Sequence, residues 1–324
     1  MISLKQAQDI INKSIKNLKF DSNPAELYGP ISYTLNLGGK RLRPALVLLS
    51  CNLFSEDYSP AINPALAFEL LHNFTLVHDD IMDNANLRRG KPTVHSKWGN
   101  NIALLSGDTL LIKAFEYITK CNDKFLNEVV EVFTQAAIKV CEGQQFDMNF
   151  ETAPNISEEN YIKMIGLKTA SLIASCLKTG AFAGGASKKD ADLLYDFGLN
   201  LGLAFQLQDD YLDVFGEASS IGKEIGKDII SNKKTYLLIK ALELAKGIVT
   251  KDLQNWISLK NFDPSEKINA IKDIYLHLKI NELTLLAVEN YFLKATICLE
   301  KINVPDSRKA VLHKFLHSLR NREN

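Results

Sequence analysis

The sequence AINPALAFELLHNFTLVHDDIMD, residues 61–83, decides the fold class because it joins a helical pattern of apolar residues to a closing cluster of carboxylates. Its apolar side chains recur at spacings of three and four residues, which is the pattern of an amphipathic α-helix. The members of this stripe are Leu66, Leu70, Phe74 and Val77. The stretch ends in the motif D-D-x-x-D, so we predict a long helix with acidic side chains at its end.

The same acidic spacing occurs a second time, near the end of a helix predicted over residues 188–215. Asp79 and Asp83 share one helix face, and so do Asp209 and Asp213, because residues four apart on a helix are neighbours. Like charges at this spacing destabilise an isolated helix, so a divalent cation is the natural partner. Carboxylate oxygens suit Mg²⁺, which keeps waters and shares its ligand shell with substrate phosphates. Two copies of one spacing indicate a metal site rather than a solvated surface.

The rest of the chain has the composition of a globular helical protein. It has 324 residues, 46% of them hydrophobic and 23% charged. Only 17 glycines and 9 prolines are present, which favours long helices over a sheet of many strands. Helical periodicity runs along the whole chain without a linker or a low-complexity tract. We therefore predict a single all-α domain over residues 1–324.

Charge and cysteine usage argue against several classes of protein. The 38 basic residues equal the 38 acidic ones, so a nucleic-acid partner is not expected. Five scattered cysteines without a C-x-x-C pair favour a reducing compartment over a disulfide or zinc framework. The sequence shows no signal-peptide core and no apolar run long enough for a transmembrane segment, so a cytoplasmic protein is expected. A Walker-type phosphate loop is also absent from the sequence.

Basic side chains cluster beside both acidic motifs. Arginine recognises phosphate oxygens in pairs and lysine binds them as a point charge, so these clusters suggest diphosphate groups held by metal and by cations together. His72 lies two helical turns before Asp79, and Gln206 lies three residues before Asp209, which makes both candidate phosphate contacts. The basic candidates are Lys40, Arg43, Arg88, Arg89, Lys168, Lys223, Lys227, Lys233 and Lys234.

In their order and spacing, these motifs resemble those of the trans-isoprenyl diphosphate synthases, the polyprenyl synthetase family. The resemblance covers residues from about 38 to 235. It implies an all-α isoprenoid-synthase helical bundle around a central active-site cavity, usually as a homodimer. It also implies a Mg²⁺-dependent prenyltransferase that condenses isopentenyl diphosphate with an allylic diphosphate, giving a short-chain all-trans prenyl diphosphate and free diphosphate.

The resemblance also assigns roles to matching positions. The isopentenyl diphosphate site would comprise Lys40, Arg43, His72 and Arg89. The allylic diphosphate site would comprise Arg88, Lys168, Thr169, Gln206, Lys223 and Lys233, with Lys234 and Lys227 as alternatives to Lys233. Three Mg²⁺ ions are expected, two at the first motif and one at the second. Their principal ligands would be Asp79, Asp83 and Asp209, supported by Asp80, Asp210 and Asp213. The catalytic residues would be the three principal ligands and Lys168.

Product length is expected to depend on the turn before the first motif. In the family, a large aromatic residue five positions before the first aspartate, with a small residue at the fourth, is typical of farnesyl and geranylgeranyl diphosphate synthases. Phe74 and Thr75 occupy these positions. The first motif lacks a two-residue insertion found in many farnesyl enzymes, which favours geranylgeranyl diphosphate. Helical geometry also allows Phe74 to be a core residue, in which case Leu71 or Leu105 would limit the chain.

Two other functions stay open at this point. A class I terpene cyclase shares the fold and the first motif, but it does not need a second diphosphate site such as Lys40 and Arg43. A non-catalytic, prenyl-diphosphate-binding subunit of a hetero-oligomeric synthase would tend to lose acidic residues, whereas both motifs are complete here. Residues from about 245 to 324 contain no motif, and we predict packing helices there.

Overall fold

Helices make up almost all the regular structure in the computed structural model, which describes residues 1–20, 22–216 and 225–321. In chain order they are α1 Leu4–Lys16, α2 Ala25–Asn36, α3 Leu42–Phe54, α4 Ile62–Met82, α5 Val94–Trp98, α6 Asn100–Ile118, α7 Leu126–Thr152, α8 Glu158–Ile165, α9 Ser171–Ala183, α10 Lys188–Phe215, α11 Lys227–Ile230, α12 Tyr236–Leu244, α13 Ile248–Ser258, α14 Pro264–His277, α15 Ile280–Glu300 and α16 Asp306–Arg320. Within these residues the strands form one small hairpin, β1 Leu87–Arg88 and β2 Lys91–Pro92. The predicted all-α class is confirmed.

The chain divides into two compact units. Unit 1 comprises Met1–Val140, Leu172–Gly198 and Cys298–Phe315. Unit 2 comprises Cys141–Ser171, Leu199–Ile297 and Leu316–Asn324. A single domain over residues 1–324 stays a prediction.

Helix α4 lies in the core of unit 1. The predicted stripe is buried, but Phe68 and Leu71 on other faces of the helix are buried as well. A helix that is apolar on most faces is a buried helix rather than a surface helix. The Phe68 ring meets the ring of Phe133 edge-on at 5.2 Å between centroids, which ties α4 to α7. This packing fixes the position of the acidic end of α4.

The core of unit 2 is formed largely by the helices after the second acidic motif. Val214 and Ile229 pack with residues of α12, α14 and α15, among them Leu237, Tyr275 and Ile280. The predicted role of this motif-free region, packing, is therefore observed within unit 2. None of the helices in the described ranges combines the length and the apolar content that crossing a membrane would need.

Candidate active site

The first acidic motif ends α4 in unit 1. Asp79 is half-buried, Asp80 is buried and Asp83, at the C-cap, is exposed. Carboxylates at the C-terminal end of a helix meet the negative end of the helix dipole, so cations nearby are needed. The chain supplies them from the hairpin that follows α4.

Arg88 on β1 forms a bidentate salt bridge with Asp80. Its Nε lies 2.9 Å from each carboxylate oxygen of Asp80, and its Nη2 lies 2.7 Å from Oδ1. Both oxygens of the buried carboxylate are thus held by one guanidinium, the geometry in which arginine binds carboxylates best. Arg88 and Asp80 therefore form a support for the acidic end of α4.

The glycine-led turn before α3 holds the next arginine. Arg89, at a left-handed φ of 54°, donates a hydrogen bond from its guanidinium to the carbonyl of Gly38. Gly39 has a φ of 135°, and a Cβ there would lie 2.8 Å from the Arg89 guanidinium. Glycine is favoured at this position because residues with a side chain rarely adopt this φ.

A buried ion pair that the sequence pattern does not predict holds the same turn. Arg41, at a left-handed φ of 47°, binds Glu69 of α4 and the carbonyl of Leu35. Each side chain of the pair is only 4% exposed. Arg41 thus has a structural partner in Glu69.

Arg43 and His72 of the predicted isopentenyl diphosphate site are brought together in unit 1. One Arg43 Nη lies 3.3 Å from His72 Nε2. Burial first, and then the charges of Arg43 and Arg89, hold the pKa of His72 well below its ordinary value, so the imidazole is neutral and accepts this hydrogen bond. Arg43 Nε is buried without a hydrogen-bond partner in the described part of the chain. Lys40, three residues before Arg43 in the sequence, is exposed. Its backbone carbonyl accepts a hydrogen bond from Gln8 Nε2 at 2.6 Å.

The predicted chain-length residues lie one to two turns before the motif. Phe74 is 8% exposed, and its ring meets that of His78 edge-on at 4.7 Å. Thr75 is buried and donates to the carbonyl of His72 at 2.8 Å. Both side chains are therefore held by contacts within unit 1.

Lys168 and Thr169 of unit 2 lie on a π-helical turn, Gly166–Ala170, between α8 and α9. Such turns are rare and occur often at functional sites. Ser157 caps α8, because its side chain accepts a hydrogen bond from the N–H of Asn160. Gly143 of α7 lets the backbones approach, since a Cβ there would lie 2.3 Å from the backbone nitrogen of Lys168.

The Lys168 ammonium is paired with a carboxylate. Its Nζ lies 2.5 Å from Oδ2 of Asp147 on α7. Asp147 could not be predicted from the sequence, because a single carboxylate on a long helix has no distinguishing pattern. The pair aims the ammonium and leaves its other protons for a ligand.

Thr169, Gln206 and Asp210 form one hydrogen-bonded row in unit 2. Thr169 donates to Gln206 Oε1 at 3.1 Å, and Gln206 Nε2 donates to Asp210 Oδ1 at 3.1 Å. Tyr161, which could not be predicted as a site residue from the sequence, donates a hydrogen bond from its buried hydroxyl to Asp210 Oδ2. Burial raises the pKa of Asp210 to about 7, although the hydrogen bond from Tyr161 opposes this change.

Lys233 and Lys234, two of the alternatives for the predicted allylic diphosphate site, make different contacts. Lys234 donates to the carbonyls of Phe150 at 2.7 Å and Glu151 at 3.2 Å, in the last turn of α7. Its ammonium thus serves as a helix C-cap. Lys233 is exposed and acts on the carboxyls of Asp210 and Asp213 through its charge. Lys223 lies outside the described residues.

The carboxylates fit a metal ion that takes part of its ligand shell from elsewhere. In residues 1–20, 22–216 and 225–321, no three His, Cys, Asp or Glu side chains converge as a complete metal cage. Mg²⁺ is typically held by one or two carboxylates together with waters and substrate phosphates. Of the predicted ligands, Asp79 and Asp83 lie in unit 1 and Asp209 lies in unit 2.

Known proteins similar to this chain point to one family. The family model for polyprenyl synthetase matches residues 24–275. A short chain isoprenyl diphosphate synthase of Methanothermobacter thermautotrophicus is 37% identical, over 95% of this chain and 94% of that protein. A geranylgeranyl diphosphate synthase of Sulfolobus acidocaldarius is 39% identical, over 90% of this chain and 89% of that protein. The crystal structure of a geranylgeranyl pyrophosphate synthase has a TM-score of 0.94 and 41% identity, and the match covers 100% of both chains.

Proposed function

The chain belongs to the polyprenyl synthetase family, and on that premise we propose that it makes geranylgeranyl diphosphate as its main product. As a family member it is a prenyltransferase, an isoprenyl diphosphate synthase that elongates an allylic diphosphate with isopentenyl diphosphate. The proposed product is supported by similarity to geranylgeranyl diphosphate synthases and by Phe74 and Thr75 before the first motif. A single domain over residues 1–324, a homodimer and a cytoplasmic location complete the proposal.

One observation favours a synthase over a terpene cyclase: the cationic cluster of unit 1. Arg43 and Arg89 surround a neutral His72, and Arg43 Nε has no hydrogen-bond partner in the described residues. A buried guanidinium nitrogen without a partner is costly unless a ligand satisfies it. A diphosphate supplies several acceptor oxygens for such a site. We assign this cluster, with Lys40, to isopentenyl diphosphate, a substrate that a cyclase does not use.

We assign the allylic diphosphate to Arg88, Lys168, Thr169, Gln206, Lys223 and Lys233. Lys168 and Thr169 would hold its oxygens from the π-helical turn, Gln206 would donate from α10, and Lys233 and Lys223 would add charge. Asp79, Asp83 and Asp209 would hold Mg²⁺, supported by Asp80, Asp210 and Asp213. When bound, Mg²⁺ supplies charge neutralisation for the leaving diphosphate. The support from Arg88 and Tyr161 explains how two of these carboxylates stay buried.

The proposed reaction breaks the C–O bond of the allylic diphosphate, and the diphosphate leaves with the electron pair. The double bond of isopentenyl diphosphate attacks the resulting allylic cation and forms the new C–C bond. A proton is then lost from the condensation product to the departing diphosphate, which restores a double bond. Lys168 and Lys233 stabilise the negative charge that develops on the leaving group, which is electrostatic catalysis by positioned cations.

The test is turnover by the purified protein with Mg²⁺, isopentenyl diphosphate and dimethylallyl, geranyl or farnesyl diphosphate. We expect isopentenyl diphosphate to be consumed and geranylgeranyl diphosphate to accumulate. A cyclase would release diphosphate and a hydrocarbon without isopentenyl diphosphate, and a non-catalytic subunit would turn over none of these mixtures.

Two variants test the assignment of the two diphosphates. Arg43→Ala should raise the KM for isopentenyl diphosphate, and Lys168→Ala should raise the KM for the allylic substrate. Each loses a contact to a charged group, which costs about 1.5–3 kcal/mol. If both variants weakened the same substrate alone, the division of the sites would be wrong.

A further inference from the structure

Lys267 of α14 is a buried cation for which the proposed reaction has no use. Its side chain is 0% exposed. Lysine is almost never fully buried unless it is paired, yet the contacts of Lys267 among the described residues include no carboxylate. Lys267 also lies in the first turn of α14, where the positive end of the helix disfavours a cation. Because burying a lysine under these conditions is costly, we infer that Lys267 has a role outside the proposed reaction.

The Lys267 ammonium holds the end of α11. Its Nζ donates to Asn232 Oδ1 at 2.7 Å and lies 3.4 Å from the carbonyl oxygen of Ile230, the last residue of that helix. The ring of Phe262 covers it, with 4.2 Å between Nζ and the ring centroid. Asn232 has a left-handed φ of 54° and turns the chain after α11. Lys267 therefore fixes the point at which the chain leaves this helix.

The second acidic motif holds the opposite end of α11. Oδ2 of Asp213 accepts from the N–H of Asp228 at 3.0 Å, and the Asp213 carbonyl accepts from Gly226 at 2.7 Å. Gly226 lies so close to α14 that a Cβ would be 2.6 Å from Cδ1 of Ile268. Helix α11 is thus held between the second acidic motif and α14, all within unit 2.

Lys233 lies three residues after the end of α11. Its N–H donates to the carbonyl of Asp228 at 2.9 Å, so its backbone position depends on α11. Its charge reaches the carboxyls of Asp210 and Asp213. Lys234 does not substitute for it, because the Lys234 ammonium binds carbonyls at the end of α7. The placement of one cation at the second motif therefore depends on how α11 ends.

We propose that Lys267 is a positioning residue for the allylic diphosphate, because it fixes the end of α11 and so sets the Lys233 ammonium beside the second acidic motif. The proposal rests on the role of Lys233 in the proposed function. Lys267 is fully buried and acts without touching substrate. The region after residue 245, in which the sequence contains no motif, thereby takes part in substrate binding.

The kinetic test compares Lys267→Met with Lys309→Met. Lys309 is the control in unit 1, because it is 4% exposed and its ammonium binds the Glu300 carbonyl at 2.9 Å. Unlike Lys267, it also lies 3.3 Å from a carboxylate oxygen, Oδ1 of Asp306. Lys267→Met should raise the KM for the allylic diphosphate about tenfold, as expected for one weakened contact to a charged group. The KM for isopentenyl diphosphate should not change, and Lys309→Met should change neither. Equal rises for both substrates, or the same rise in Lys309→Met, would overturn the proposal.

A double variant tests whether the effect passes through Lys233. In a Lys233→Ala background, Lys267→Met should change the allylic KM by less than about twofold, because coupled residues are not additive. Effects that multiply would contradict the proposal. An unchanged KM in Lys233→Ala alone would also overturn it, while synthase activity of the unaltered protein would leave the proposed function standing.

Hydrogen exchange on the protein without substrate or metal gives a second readout. Lys267→Met should speed exchange at the amides of Asn232, Lys233 and Thr235, which bond within this segment, and Lys309→Met should not. Asn232→Gly keeps the left-handed backbone and removes the acceptor, so it should do the same even where Lys267→Met fails to fold. Unchanged exchange in Asn232→Gly would overturn the proposal. A protein that made no prenyl diphosphate would refute the proposed function and leave this exchange result valid.

Discussion

The middle aspartates of the two acidic motifs are tied to the protein rather than held out to a ligand. Asp80 gives both oxygens to Arg88, and Asp210 accepts from Tyr161 and Gln206. On a helix the neighbouring residue points about 100° away, so the first aspartate of each motif faces elsewhere. We therefore expect Asp79, Asp83 and Asp209 to contribute most to metal binding. Asp213, the last aspartate of the second motif, already accepts a hydrogen bond from the N–H of Asp228.

Replacing Asp79 or Asp209 by alanine should remove most turnover and leave the fold intact. Each change deletes a proposed Mg²⁺ ligand on a half-buried surface, not a packing group. Turnover at saturating Mg²⁺ and circular dichroism measure the two effects, with Asp252→Ala on an exposed face as the control. Near-normal turnover in Asp79→Ala would contradict its assignment.

Asp210 predicts a pH dependence of metal binding. Burial raises its pKa to about 7, so the carboxyl of the metal-free protein is partly protonated at neutral pH. A bound cation favours the ionised carboxylate, so Mg²⁺ binding should release a proton and its affinity should rise as the pH increases through about 7. Calorimetry in two buffers of different ionisation enthalpy measures the release. Asp210→Asn should abolish it, and identical enthalpies in both buffers for the unaltered protein would refute the prediction.

At the scale of elements, the π-helical turn Gly166–Ala170 depends on a close approach by α7. Gly143→Ala would put a Cβ 2.3 Å from the backbone nitrogen of Lys168, and backbone cannot move aside as a side chain can. We expect a loss of about 1–3 kcal/mol of stability, typical of overpacking, and a raised allylic KM. Gly166→Ala is the control, since its nearest contact is Leu203 Cδ2 at an ordinary 3.8 Å. Thermal unfolding and kinetics that do not distinguish the two variants would contradict this account.

The last turns of α4 contain Phe74, which we predict to limit product length. Phe74→Ala should remove bulk from the turn before the first motif and lengthen the products. Chromatography of extracted, dephosphorylated products measures this. Removing a buried phenylalanine costs about 3–5 kcal/mol, so unfolding of the variant must be followed as well. Unchanged products from a folded variant would mean that Phe74 is a core residue only, and Leu71 and Leu105 would be tested next.

At the scale of the whole molecule, α6 and α15 expose large apolar side chains. On α6, Leu105 is 58% and Ile112 is 68% exposed, and on α15, Leu286 is 67% and Leu293 is 59% exposed. Contiguous exposed apolar residues commonly mark association sites. The proposed homodimer predicts a mass in solution of about twice 36.2 kDa by light scattering. Ile112→Glu and Leu286→Glu would show which stripe is covered, and a monomer of the unaltered protein would refute the dimer.

The amino-acid sequence by itself determined the all-α class, the family and the identity of the charged residues, because helical periodicity and motif spacing are local properties of the chain. Only the tertiary structure decided which charges are available to ligands and which are bound by the protein. Arg41 pairs with Glu69 across 28 residues, and Lys267 reaches Asn232 across 35. Sequence spacing contains no information about such distant partners, since they meet only when helices pack. For the same reason Tyr161 and Asp147 could not be found from the sequence, whereas Asp79 and Asp209 could.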